Sequence, residues 1–289
     1  MKQFTKALII VIFIFSNINL NSQNLFNYSL FNQNPEIYNP SAILNDDIAS
    51  FYFTSRLQWA GVDGFPKYNS MGASYSISPK MRLGMSLFNS THGVFNNLKA
   101  KVNYAYRAMF SDKHYITFGL SLGIINNKIL MSQLEYVDLS DELVQPDYYN
   151  KTSITSSFGV SYTINNFEAQ LVLPQLFEYN KLNFYGIGIF SCKFKSDKKL
   201  SFKPSVLIRN TELVKVQADA VINIEWMKKL WVQTGVRSNG CLFFGVGNQT
   251  IAYAYETPVN NFSGVTLGSH EILVRFRIKQ DKTCPAYNF

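Results

Sequence analysis

Residues 214–226, VKVQADAVINIEW, constrain the fold more than any other stretch of the chain. Val214, Val216, Ala218, Ala220, Ile222, Ile224 and Trp226 share one parity, while Lys215, Gln217, Asp219, Asn223 and Glu225 fall on the other. A period of two places successive side chains on opposite faces of an extended strand. No charged residue interrupts the apolar side across the whole stretch. The same split recurs in ITSSFGVSYTI, where Ile154, Phe158, Val160, Tyr162 and Ile164 oppose Thr155, Ser157, Gly159, Ser161 and Thr163. In KAKVNYAYRAMF, Val102, Tyr104, Tyr106 and Phe110 oppose Lys101, Asn103 and Arg107. The wall these strands build is apolar on one side and polar on the other.

Such a wall belongs to a soluble sandwich or to a barrel in a membrane, and two features decide between them. Charged residues make up only 16% of the chain, against a usual quarter, while 17 Tyr and 24 Phe bring aromatics to 15%. The turns also differ between the two ends. One set is short and lysine-rich: SPK, FSDKH, INN, KSDKK, MKK and GNQ. The other is longer: QWAGVDGFPK, NSTHGVFNN, the stretch from Asn126 to Ser153, and ETPVNNFSGVTLGS. The expected fold is therefore all-β, an outer-membrane antiparallel barrel of about 14 strands with short periplasmic turns and long extracellular loops. Phe158, Val160, Leu120, Leu122, Val216, Ala220 and Ile222 are expected to face lipid.

The ends carry different signals. Lys2 and Lys6 precede the apolar run Ala7 to Phe15, and Ser22 follows a polar stretch, which reads as a signal peptide over residues 1–22. Residues 23–46 lack alternation and contain Pro35 and Pro40, so they are expected as a periplasmic lead-in or a lumen plug. The barrel is expected over 47–279 and a periplasmic tail over 280–289. Without residues 1–22 the charge is 25 basic against 19 acidic residues, or +6, since Lys2 and Lys6 leave a total of 27. That surplus is too diffuse for a nucleic-acid partner, and export argues against one.

Residues 119–123, GLSLG, fit the G-x-S-x-G pattern of a hydrolase nucleophile elbow. The elbow needs a sharp strand-to-helix turn, yet the period of two runs straight through Ser121. Ser269, His270 and Glu271 are consecutive, so alternation points the histidine away from its neighbours and no triad forms within the strand. His92, His114 and His270 lie far apart, and Cys192, Cys241 and Cys284 have no metal-site spacing, although one disulfide is possible. Catalytic, cofactor-binding and metal sites are all expected to be absent, and no cofactor is implied.

A short motif carries a resemblance that spans almost the whole mature chain. RLQWAGVDGFP contributes Arg56, Gln58, Trp59, Gly61, Asp63, Gly64 and Pro66, and Asn39 and Pro40 precede it. NYAYR at 103–107, FGLSLGI at 118–124, LPQLFE at 173–178, GSHEILVRF at 268–276 and the closing CPAYNF add to it. The chain resembles the PorP/SprF family of outer-membrane proteins, associated with type IX secretion and gliding motility in Bacteroidota. Ala60 departs from the bulkier apolar residue frequent in that family.

The resemblance implies a non-enzymatic barrel that supports secretion and surface retention of a large secreted protein, engaged through that partner's C-terminal region. It also implies contact with other type IX components in some members. Contact with the partner is expected from the tryptophan loop and from Tyr136, Tyr148 and Tyr149 in the loop between Asn126 and Ser153, which has a second reading as a loop that folds inward and constricts the lumen. The tryptophan loop has a second reading, in which it only caps the barrel, held by an Arg56–Asp63 pair, with Trp59 suited to a membrane interface. Rival functions are a passive porin, whose lumen would be open, and an outer-membrane lipid hydrolase.

Overall fold

The structure, a computed structural model, describes residues 27–43, 47–130, 150–178, 181–182, 185–196, 199–210, 216–258 and 265–279. Sixteen strand segments close on themselves. They are β1 (Asp47–Leu57), β2 (Lys67–Ser78), β3 (Met81–His92), β4 (Phe95–Ser111), β5 (His114–Ile129), β6 (Lys151–Ile164) and β7 (Phe167–Glu178). Then come β8 (Lys181–Leu182), β9 (Ile187–Cys192), β10 (Phe194–Lys195), β11 (Leu200–Arg209), β12 (Gln217–Trp226) and β13 (Leu230–Arg237). β14 (Cys241–Asn248), β15 (Ile251–Pro258) and β16 (Ser269–Lys279) complete the wall. The segments β8, β9 and β10 follow one another between β7 and β11 and form a single interrupted strand. The wall is thus a closed antiparallel barrel of 14 strands, sealed where β1 pairs with β16. Closure removes the sheet edges, which a bilayer would leave without hydrogen-bond partners.

The pleat sorts the side chains as the alternation implies. Leu120 and Leu122 are exposed on the outer surface, as are Val102, Val216 and Ile222, while Thr117, Ser121, Asn103, Asp219 and Asn223 are buried inside. Polar residues are buried here because the interior of the barrel, not its surface, is the polar side. At the short-turn end Tyr162 and His114 pair on the outer face, 3.0 Å between Oη and Nε2, with Phe110 beside them.

One expected loop is not a loop. NSTHGVFNN is mostly strand: β3 continues to His92 and β4 starts at Phe95, with only Gly93 and Val94 between them. Gly93 takes φ 53°, which lets the chain reverse in so few residues. Ser238–Gly240, one residue longer, is also a tight turn at the same end. Length at this end therefore resides in residues 58–66, the stretch between β5 and β6, the stretch between β15 and β16 and, to a lesser extent, the stretch between β11 and β12. Cys192 and Cys241 are free thiols.

Residues 27–43 lie inside the barrel. They include two short 3₁₀ turns, Pro35–Ile37 and Pro40–Ile43, and lead into β1 at the short-turn end. Tyr28, Leu30, Phe31, Tyr38 and Ile43 are buried there.

Candidate functional site

Three contacts seat the inner segment. The first is apolar. Tyr28, Phe31 and Tyr38 pack against Val172, Ile187, Ile189, Leu207, Val221 and Phe243 from the wall. Val221 breaks the polar side of the 214–226 alternation, and the segment inside supplies its packing partner. Each such side chain stabilises the seat by roughly 1.5–3 kcal/mol when fully buried.

The second contact is a close approach of two backbones. A Cβ on Gly119 would lie 2.1 Å from the Ser41 nitrogen, and one on Gly159 would lie 2.1 Å from Asn39 Oδ1. Only glycine leaves room at these positions. Asn39 Oδ1 accepts hydrogen bonds from the Ser41 N–H (2.9 Å) and hydroxyl (2.8 Å). Its amide donates to Ser161 Oγ (3.0 Å) and Gln170 Oε1 (2.8 Å). The asparagine therefore fixes the turn at Pro40 and ties it to β6 and β7. This accounts for Gly119 of GLSLG better than catalysis does, while Gly123 leaves room for the backbone of Ala100 and Lys101 on β4. Ser121 is buried and donates to Asn103 Oδ1 at 2.6 Å.

The third contact is a row of buried ions near the long-loop end. Arg209 Nη2 meets Asp219 Oδ2 at 2.5 Å, and Asp219 Oδ1 accepts from Arg237 Nε at 3.0 Å. Arg237 Nη1 reaches Glu256 Oε2 at 2.6 Å, and Arg56 Nη2 reaches the same oxygen at 3.0 Å. Arg56 Nη1 then lies 3.4 Å from Glu271 Oε2. Three cations and three carboxylates alternate along this row and balance in charge. Glu271 is completed by the inner segment: Ser29 N–H donates to Oε2 (2.7 Å) and Leu30 N–H to Oε1 (3.2 Å). Ser29 Oγ donates to Glu256 (3.0 Å), and Gln233 Nε2 donates to the Ser29 carbonyl (2.9 Å). Removing one member of such a network leaves an uncompensated buried charge, which costs about 3–5 kcal/mol.

Arg56 thus pairs with Glu256 and Glu271, not with Asp63, which is exposed in the loop beyond. The long-range partners win because the arginine side chain points into the lumen from β1, whereas Asp63 lies past the rim. The tryptophan loop is held by backbone bonds instead. Gln58, itself buried, donates its N–H to the Pro66 carbonyl (2.9 Å), and Trp59 N–H donates to Ser269 Oγ (3.2 Å). Ala60 exchanges two bonds with residues 267 and 268, each 2.8 Å. Trp59 has φ 57°, Gly61 φ 91° and Gly64 φ 67°, and the Gly64 carbonyl accepts from Gly93 N–H at 2.9 Å. Trp59 remains 44% exposed. Tyr136, Tyr148 and Tyr149 lie outside the described residues.

Ser269 and Glu271 point inward, while His270 sits on the outer face with its Nδ1 2.8 Å from Tyr253 Oη. Alternation therefore splits the would-be triad across the wall. Among the described residues there is no cluster of metal-ligating side chains. Sequence reasoning missed Asp219, Glu256, Glu271, Arg209 and Arg237 as a unit. Their parity placed them in the lumen, but nothing local signals that six strands converge.

The family model for "Type IX secretion system membrane protein PorP/SprF" matches residues 20–276. No curated protein is significantly similar in sequence. Among solved structures, the Ralstonia pickettii toluene transporter TbuX is 8% identical, with a TM-score of 0.51 over 85% of this chain and 93% of that one. The TodX monoaromatic hydrocarbon channel, as a deletion mutant, is 12% identical with a TM-score of 0.48, over 83% and 91%. The KdgM porin is 10% identical with a TM-score of 0.41, over 78% and 98%. These likenesses concern the barrel fold.

Proposed function

The chain belongs to the PorP/SprF family of type IX secretion system membrane proteins, and from that premise we propose that it holds a secreted protein at the cell surface rather than conducting solutes. In this reading residues 1–22 are removed on export and the barrel sits in the outer membrane, short turns toward the periplasm. The partner is a large secreted protein, gripped through its C-terminal region by the long external loops. The protein performs no catalysis.

The observation that carries this reading is the filled lumen. Residues 27–43 occupy the barrel interior, and the space left beside them is divided into pockets of about 60 and 110 Å³ and a vestibule of about 490 Å³ at the short-turn mouth. Tyr28, Phe31 and Tyr38 of that segment are packed against the wall, so the middle of the barrel is filled by protein. The rim beyond is partly apolar: Trp59, Val62, Val265 and Leu267 are exposed on two stretches of loop tied together by the Ala60 bonds. Exposed apolar groups on a fixed frame suit protein contact.

Co-purification tests the reading. Wild-type barrel extracted from outer membranes in mild detergent should retain one large secreted protein, and replacing Trp59 with Ala should weaken that retention. Recovery of the barrel alone from cells secreting normally would overturn it. For the porin alternative, planar bilayers give the answer: the reading expects closed barrels, and steady conductance would favour the rival.

A further inference from the structure

The short-turn mouth of the barrel opens into a polar vestibule of about 490 Å³, floored by residues 32–36 of the inner segment. Its lining holds seven Lys or Arg side chains against three Glu, a surplus of four positive charges. Several of those charges are already matched. Arg277 Nε lies 3.3 Å from Asp47, Lys203 Nζ lies 3.5 Å from Glu168, and Glu225 is held by Lys193 at 2.7 Å. Lys228, Lys229, Lys279 and Arg275 form no salt bridge among the described residues.

Arg275 is the one buried cation of these four. It is only 8% exposed, one of its Nη groups donates to the Gln33 carbonyl, and its Nε has no hydrogen-bond partner. Buried arginine donors in native folds are nearly always satisfied. That buried Nε is out of reach of the vestibule, but Arg275 also lines the vestibule wall, where its guanidinium charge favours an acceptor that arrives from outside, most strongly a carboxylate.

The spread of the charges selects the ligand class. Lys228 and Lys229 lie in the turn that leads into β13 and Arg275 is on β16, three strand spacings apart, or about 14 Å along the wall at 4.8 Å per spacing. One phosphate cannot meet such a set, whereas a flexible run of carboxylates can. A cleft with a surplus of one sign between low-dielectric walls also focuses its field outward and speeds encounter. We propose that this mouth binds an acidic peptide segment of a protein on the short-turn side of the membrane, anchored on Arg275 and steered by Lys228 and Lys229. The inference is independent of the surface-partner reading, which concerns the opposite end.

The test uses the full-length barrel in a neutral detergent and a fluorescein-labelled oligoglutamate peptide, read by polarisation. Wild type should bind the probe with an affinity that falls as salt rises. Lys228→Glu with Lys229→Glu should weaken binding by about tenfold or more. Lys80→Glu with Lys113→Glu, in other short turns outside the vestibule, should leave it within about twofold. Heat-modifiable migration on gels checks that each variant is folded. Absence of binding would overturn the proposal, as would equal losses in the two double variants, which would mean diffuse charge only. Displacement of the probe by inorganic phosphate at matched ionic strength would overturn it in favour of a small-anion site. Displacement by anionic phospholipid micelles, but not by neutral ones, would overturn it in favour of a lipid headgroup.

Discussion

Gly159 faces Asn39 so closely that a methyl group there would stand 2.1 Å from the asparagine's Oδ1. The wall has been hollowed at this point to admit the segment inside it. Gly159→Ala should therefore push the turn at Pro40 off its seat, at a cost of roughly 1–3 kcal/mol. Thermal unfolding in detergent should begin earlier. Purified variant barrels should also show brief conductance events that wild type lacks. An unchanged melting curve with closed barrels would mean the segment does not rest where Asn39 places it.

Glu271 is the junction between the ion row and the inner segment, accepting from Arg56 and from two backbone amides. Glu271→Gln keeps the shape but removes the charge, leaving Arg56 with one carboxylate partner. A loss of about 3–5 kcal/mol is expected. Urea unfolding in micelles would measure it. A cycle with Arg56→Met should show strong coupling; additive effects would mean that the two residues act separately.

The assignment of faces is tested at two adjacent positions. Ile222→Arg puts a cation on the lipid side and should cost roughly 2–4 kcal/mol if it lies near the midplane. Asn223→Arg points into the lumen beside a polar cavity of about 110 Å³ and should be much milder. Equal damage in folding assays at both positions would refute the assignment.

Ser121→Ala should lose one hydrogen bond, to Asn103, and about 0.5–1.5 kcal/mol. Secretion should be unaffected. A correctly inserted Ser121→Ala barrel that no longer supports secretion would return the nucleophile to consideration.

Glu36 gives the seat a pH dependence. Burial pushes its carboxyl up to about 7, only partly offset by Arg82 and Arg275. A raised carboxyl means the seated segment holds the proton more tightly than the free one. Seating is then favoured in acid and weakens as pH climbs from the ordinary carboxylate range through about 7. Melting temperature against pH should slope downward there, and Glu36→Gln should flatten the slope.

The barrel was readable from the chain because alternation is a local signal, repeated in strand after strand. Where it failed, at NSTHGVFNN, polar residues at the rim looked like a loop although they continue two strands around Gly93. Asn39 and Pro40 were recognisable as a motif, but their seat was not, since it depends on glycines eighty and one hundred and twenty residues away. The pairing of Arg56 with Asp63 was the natural guess from sequence distance. The actual partners, Glu256 and Glu271, come close only when β1 closes against β16. Val221 did carry a signal, as the single apolar residue on a polar face.

The central claim, that this barrel keeps one secreted protein at the surface, is tested most directly by comparing the surface proteome of a gene-deletion strain with that of its complemented parent. The account predicts that one large type IX substrate disappears from the surface while most others remain. An unchanged surface proteome would contradict it, and so would arrest of all type IX export, which would place the protein in the shared machinery.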